Sequence, residues 1–145
     1  MENILISACL LGIACRYDGE SKNYDLGKLA EQYNLVPFCP EIYGGLPTPR
    51  IPSEIAGDRI VNKEGEDVTA QYRKGAEEAL RLCKILDIKK AVLKEKSPSC
   101  GKGRVYDGSF TRSLIHGDGV TVKLLKEHGI EVFTENEINK ICKEV

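Results

Sequence analysis

Four short, mainly apolar runs divide the chain: Ile4-Leu5-Ile6-Ser7-Ala8, Leu35-Val36-Pro37-Phe38, Ala91-Val92-Leu93 and Ile130-Glu131-Val132-Phe133. Runs of this length bounded by turn residues read as buried strands. Between them lie segments with helical spacing. Leu26, Leu29, Ala30 and Tyr33 predict a helix over Asp25 to Asn34, with Asp25 as its cap. Tyr72, Ala76, Ala79, Leu80, Cys83 and Leu86 form an apolar stripe that predicts the longest helix, Asp67 to Leu86, capped by Asp67. Gly119 to His128 predicts another, closed by Gly129. Thr134 and Glu137 have the spacing of a capping box that opens a last helix.

Two stretches break this rhythm. Ile42 to Glu66 is rich in Gly and Pro and predicts no helix of normal length, only a short hairpin within Ile55 to Val61. Gly101 to Gly117 reads as irregular, with a turn at Asp107-Gly108. Loops this long inside a compact domain are usually functional. No internal repeat, low-complexity segment or linker is visible. Alternating strands and helices predict an α/β fold with a small, mostly parallel sheet. Right-handed crossovers then bring every strand's carboxyl end to one edge, where open α/β sheets hold ligands.

Composition narrows the partners. The 145 residues are 41% hydrophobic and 30% charged, with a formal net charge of −1. That balance suits one soluble domain and announces neither nucleic acid nor a membrane. Lys89-Lys90 and Lys94 to Lys96 read as solvated faces rather than an RNA surface. With no Trp, a base-stacking platform is not suggested. No apolar run approaches bilayer length, and the amino terminus does not resemble a signal peptide, so the expected location is the cytoplasm.

Six cysteines change the picture. In a reducing compartment they point to metal binding or catalysis rather than disulfides. Cys9, Cys39 and Cys100 each follow a different predicted strand. Pro98 cannot donate to a sheet ladder, so the third strand is expected to stop and deliver Cys100 on a turn. In a parallel sheet all three thiols emerge at one edge, close enough to share an inorganic centre. Zinc would ask for a fourth ligand, which Cys15 could supply, but Cys9-x5-Cys15 is an unusual zinc spacing. Thiolates also suit an iron–sulfur cluster, and three of them on a cubane leave one iron open as a Lewis acid. Cys83 and Cys142 fall on helical stripes and read as core residues. Glu41 stands two residues after Cys39 and could act as a base on water. Ser97 and Ser99 precede Cys100 and could pass a proton. Arg16, Arg50, Lys96, Lys102 and Arg104 lie on loops at the same edge and could hold an anionic or carbonyl-rich ligand. His116 and His128 carry no evident role.

The set Ile6-Ser7-Ala8-Cys9-Leu10-Leu11-Gly12, Arg16-Tyr17-Asp18-Gly19, Cys39-Pro40-Glu41, Gly44-Gly45-Leu46-Pro47-Thr48-Pro49-Arg50 and Lys96-Ser97-Pro98-Ser99-Cys100-Gly101 resembles the thiouracil desulfidase (TudS) family. The resemblance covers essentially the whole chain. It implies a Rossmann-like three-layer desulfidase domain over residues 1–145 and a 4Fe–4S cluster on Cys9, Cys39 and Cys100 with one open iron. It implies non-redox removal of sulfur from thiolated uracil compounds: 2- or 4-thiouracil, 4-thiouridine, its nucleotides or transfer RNA. Net charge does not indicate transfer RNA. Glu41 matches the family's acidic residue, and Ser97, with Ser99 as competitor, matches its proton-assisting serine. Arg16 and Arg50 are the expected substrate-binding residues. The competing class is a cluster- or zinc-stabilised structural or sensing domain, which four-thiolate coordination through Cys15 would favour.

Overall fold

The computed structural model describes residues 1–13, 15–19 and 26–142. In chain order its elements are β1 (Glu2–Ser7), α1 (Gly27–Gln32), β2 (Tyr33–Phe38), α2 (Pro40–Tyr43), β3 (Ser53–Ala56), β4 (Arg59–Asn62), α3 (Thr69–Ile85), β5 (Lys90–Leu93), β6 (Arg104–Tyr106), β7 (Leu114–His116), α4 (Val120–Glu127), β8 (Glu131–Thr134) and α5 (Ile138–Ile141). Short 3-10 turns occupy Ala8–Leu10 and Glu135–Glu137.

The central sheet is wholly parallel, in the order β2-β1-β5-β8. Side chains alternate across it, as strand geometry requires. Ile4, Ile6 and Val92 face one layer, where Leu26, Leu29 and Ile141 cover them. Leu5, Ala91, Leu93 and Val132 face the other, against Ala79, Leu80 and Cys83 of α3 and Val122 and Leu125 of α4. The result is the three-layer, Rossmann-like α/β architecture expected from the sequence. The connection from β1 leads to β2 on one side, and that from β5 leads to β8 on the other. The crevice between the carboxyl ends of β1 and β5 is therefore the switch point where such sheets take ligands.

Several predicted boundaries move. The first helix stops at Gln32, and Tyr33 and Asn34 belong to β2, where they pair with Glu2 and Asn3. An aromatic at a strand start satisfies a backbone ladder that a helix would forgo. The proposed cap Asp25 lies outside the described residues. Asp67 stands two residues before α3, where its Oδ1 accepts from Thr69 N–H at 2.9 Å. The hairpin within Ile55 to Val61 is present as β3-β4, with Gly57 at φ +66° in its turn. Gly101 to Gly117 is not wholly irregular. Arg104–Tyr106 and Leu114–His116 pair antiparallel as β6-β7, a hairpin of three-residue strands that periodicity is too short to reveal. The strand before Cys100 ends at Leu93, well ahead of Pro98. The capping box is formed, with Thr134 N–H donating to Glu137 Oε1 at 3.0 Å and the Thr134 side chain accepting from the turn. No helix among the described residues is long and apolar enough to cross a membrane.

One packing feature fixes the first turn after β2. A Cβ on Gly75 of α3 would lie 1.9 Å from Pro40 O, and one on Gly44 would lie 2.0 Å from Gln71 O. The backbones of α2 and α3 thus touch at both glycines. Gly75→Ala should raise helix propensity by roughly 1 kcal/mol, yet the forced separation of α2 should outweigh it, as overpacking costs about 1–3 kcal/mol. The expected outcome is a net fall in denaturation midpoint. A Gly75→Ala chain as stable as the parent would refute this close contact.

Candidate functional site

At the carboxyl edge of the sheet lies a cavity of about 510 Å³. Cys9, Cys39, Cys100, Glu41, Ser97, Ser99, Arg16 and Arg50 all line it. Each arrives by its own route. Cys9 sits in the 3-10 turn after β1, Cys39 immediately after β2, and Cys100 on the loop after β5. These strands are neighbours, so the three thiols come from adjacent positions along one rim. Lys102 and Arg104 do not line the cavity. Lys102 pairs with Glu137 at 2.9 Å.

The Cys100 loop is held by backbone hydrogen bonds. Ser97 Oγ accepts from Ser99 N–H at 3.1 Å and from Cys100 N–H at 3.0 Å. The first N–H groups of α4, which have no partner within the helix, donate to this loop. Val120 N–H reaches Pro98 O at 2.9 Å, and Thr121 N–H reaches Ser99 O at 3.0 Å. Gly119 permits the approach, because a Cβ there would lie 2.5 Å from Ser99 O. Ser7, at the end of β1, accepts from Lys94 N–H at 2.9 Å and so ties β1 to the start of the loop.

A directed chain of hydroxyls follows. Both lone pairs of Ser97 Oγ are engaged by the two N–H groups, so its proton is left to donate to Ser99 Oγ, 2.9 Å away. Ser99 is 1% exposed and its hydroxyl donates to Glu41 Oε1 at 3.3 Å, with Cys100 Sγ at 3.5 Å as its other acceptor. The order Ser97, Ser99, Glu41 is thereby set by donor and acceptor count.

Glu41 opens α2 directly after Cys39. Its other oxygen is bound by Arg50 Nη2. Arg50 also donates to Cys15 O at 3.0 Å, Pro47 O at 3.1 Å and Thr48 Oγ1 at 3.0 Å. Only its Nε is buried without a partner. Burial works against the guanidinium's charge, but the Glu41 carboxylate outweighs it and lifts Arg50 further above the ordinary arginine range. Arg16 lies at the cavity wall, 3.9 Å from Asp18.

Tyr72 was legible only as part of an apolar stripe. Its ring is 2% exposed, yet it lines the cavity. Burial first, and the nearby Glu41 charge second, push its phenol well above the usual range. A tyrosine at core spacing gives no sequence sign that its hydroxyl turns toward a carboxylate. Phe110 and Arg112, on the β6-β7 loop, also line the cavity and were missed with their hairpin.

The sulfurs are desolvated and crowded. Burial raises Cys100 to about 12. Cys39 is pushed up, first by the neighbouring Cys15 thiol and then by burial, while Ile42 N–H pulls the other way. For Cys15, Cys39 acts downward, but the Cys9 thiol and burial prevail and raise it to about 11. Such thiols keep their protons until a cation replaces them, which is the condition of metal-linked deprotonation. Among the described residues, no three His, Cys, Asp or Glu side chains form a group that could hold a single metal ion. A cluster of several irons needs its ligands further apart than one ion does. Three buried thiols spread along one cavity rim fit an iron–sulfur group better than zinc.

A family model described as 2-thiouracil desulfurase matches residues 4–137. The uncharacterized protein YbbK of Bacillus subtilis (strain 168) is 44% identical over 149 residues, covering 95% of this chain and 99% of that protein. The solved structure of a 4Fe-4S-dependent thiouracil desulfidase, TudS, matches with a TM-score of 0.92 and 48% identity, over 97% of this chain and 95% of that one.

Proposed function

The chain belongs to the 2-thiouracil desulfurase family, and from that premise we propose that it is a 4Fe–4S-dependent desulfidase acting on a small thiolated pyrimidine. The reaction is a hydrolysis. Water oxygen bonds to the thiocarbonyl carbon, the carbon–sulfur bond breaks, and sulfur leaves as hydrosulfide with no net electron transfer. The observation that carries this reading is the juxtaposition of three buried thiols with a carboxylate and its hydroxyl chain in one cavity.

Cys9, Cys39 and Cys100 would hold the cluster, which when bound supplies a thiophilic Lewis acid. The remaining chemistry is the chain's own. Glu41, its charge fixed by Arg50 and Ser99, takes the proton of the attacking water. Ser99 is the hydroxyl in contact with Glu41, and Ser97 stands behind it as its donor, so the pair can return a proton toward the departing sulfur. Arg50 is largely committed to positioning Glu41, leaving its unpartnered Nε as the donor for a substrate oxygen. Arg16 offers a second cation at the wall. Unpaired cysteines throughout the chain suit a reducing compartment, so we place the protein in the cytoplasm. We also place residues 1–145 in one desulfidase domain, with a free base, nucleoside or nucleotide preferred over transfer RNA.

The test is anaerobic incubation of cluster-loaded protein with 2-thiouracil, 4-thiouracil and 4-thiouridine. Loss of thiocarbonyl absorbance matched one-to-one by released sulfide is expected for at least one of them. Cluster-loaded protein that turns over none of these would sink the proposal.

A further inference from the structure

The β6-β7 hairpin forms a wall of the cavity that the proposed chemistry leaves unused. Its loop, residues 107–113, is polar and would be free to move if nothing held it. It is held from both sides. Asp107 N–H donates to Ser113 O at 3.0 Å, and Asp107 Oδ1 accepts from Ser109 N–H at 2.9 Å. Ser109, Thr111 and Ser113 link hydroxyl to hydroxyl at 2.5 and 2.9 Å. From beneath, Glu54 of β3 takes two backbone donors on one oxygen, Gly108 N–H at 3.0 Å and Phe110 N–H at 3.2 Å. Glu54 is 9% exposed, an unusual place for a carboxylate whose partners are amides rather than a cation. Gly108, at φ +94°, packs so closely that a Cβ would lie 2.9 Å from Ile55 O.

The two residues this clamp delivers to the cavity are both in the left-handed region, Phe110 at φ +59° and Arg112 at φ +62°. A bulky residue there is unfavourable and persists only where its surroundings impose it. Phe110 is half-buried, and Arg112 is exposed at the rim together with Lys63. The carboxylates lining the cavity are engaged elsewhere: Glu41 by Arg50, Glu54 by the loop amides, and Glu95 by Asn136 and Lys96. The rim is left cationic.

We propose that loop 107–113 is the substrate-reading wall. Phe110 gives the face on which the pyrimidine packs, Arg112 with Lys63 recognises an anionic group carried on that ring, a phosphate monoester being the chemistry a guanidinium fits best, and Glu54 is the positioning residue that sets both. This rests on the desulfidase reading for the identity of the ring.

The experiment measures dissociation constants for uracil and uridine 5′-monophosphate by calorimetry on cluster-loaded protein, and steady-state rates with 4-thiouracil and 4-thiouridine 5′-monophosphate. The parent should bind the monophosphate more tightly. Phe110→Ala should weaken both ligands about fivefold or more, the range of base–aromatic stacking. Arg112→Ala should cut the preference for the monophosphate by about tenfold, the size of a charge-assisted contact, with KM rising and kcat holding, and Arg112→Lys should recover part of it. Glu54→Ala should reproduce both losses, and Glu54→Gln, which keeps an acceptor oxygen, should restore binding. Equal affinity for the two ligands in the parent, or an unchanged preference in Arg112→Ala, would overturn the proposal while turnover of either substrate keeps the desulfidase reading. Absence of all turnover would remove that reading, and the binding series would still decide the role of the loop.

Discussion

Replacing Cys100 with alanine is expected to abolish cluster retention and turnover together while leaving the fold in place. The thiol is 5% exposed and its loop is fixed by the Ser97 hydroxyl and the amides of α4, none of which involves the sulfur as an essential partner. Losing one buried sulfur should therefore cost stability on the order of 1 kcal/mol. Losing one of three thiolates removes a third of the protein's hold on the inorganic centre. Cys9→Ala and Cys39→Ala should behave alike, because all three reach the same cavity from adjacent strands. Two other cysteines make the comparison decisive. Cys83 is 2% exposed in the core beneath α3, and Cys83→Ala should keep full iron and sulfide content. Cys15 lies beside Cys9 and Cys39, and Cys15→Ala should also keep the cluster if three thiolates suffice. The measurement is iron and acid-labile sulfide per chain after anaerobic reconstitution, alongside visible absorbance. A Cys100→Ala protein that loads as much cluster as the parent would overturn the ligand assignment. Loss on Cys15→Ala would instead point to four-thiolate coordination.

Much of this site was legible because parallel strands impose direction. Once β1, β2 and β5 were read as buried runs, the residues following them had to share an edge, and Cys9, Cys39 and Cys100 do line one cavity there. Strand order could not be read from the runs, yet the order β2-β1-β5 is what makes the three neighbours. What stayed hidden has local causes. The β6-β7 strands have three residues each, too few for a period of two to register, so Phe110 and Arg112 were lost with them. Tyr72 sits at core spacing on α3, and periodicity reports the ring, not the hydroxyl. Arg50 reads as a loop cation, but Cys15 O, Pro47 O, Thr48 and Glu41 absorb four of its donors, which only the folded loop can show. Ser97 and Ser99 were interchangeable in sequence. Backbone donors to Ser97 Oγ separate them, since they leave Ser99 as the hydroxyl that meets Glu41.

Glu41→Gln is expected to lower kcat by about 10²–10⁴-fold, the usual worth of a positioned general base, with cluster content unchanged. The substitution preserves shape and one carbonyl oxygen, so Arg50 keeps an acceptor and Cys39, two residues earlier, keeps its place. It removes the charge and the ability to take a proton from water. The alternative, that Glu41 serves only to neutralise Arg50, predicts a different pattern. Removing one partner of a buried pair costs about 3–5 kcal/mol, and the side chains here are 5% and 12% exposed. A neutralising role would then appear chiefly as a lower denaturation midpoint and weaker cluster retention, with the loaded fraction still turning over at the parent rate. A base role would appear in the loaded fraction itself. The pH–rate profile separates the two again. A carboxylate base gives the parent an acidic limb, where protonation silences it, and Glu41→Gln should lose that limb along with the rate. Glu41→Asp, which keeps the charge but draws it back by one methylene from Ser99 and the cavity, should recover the limb with only part of the rate. Loaded Glu41→Gln protein within tenfold of the parent kcat would remove Glu41 from the chemistry and leave the Ser99 hydroxyl as the group in the cavity with a proton to move.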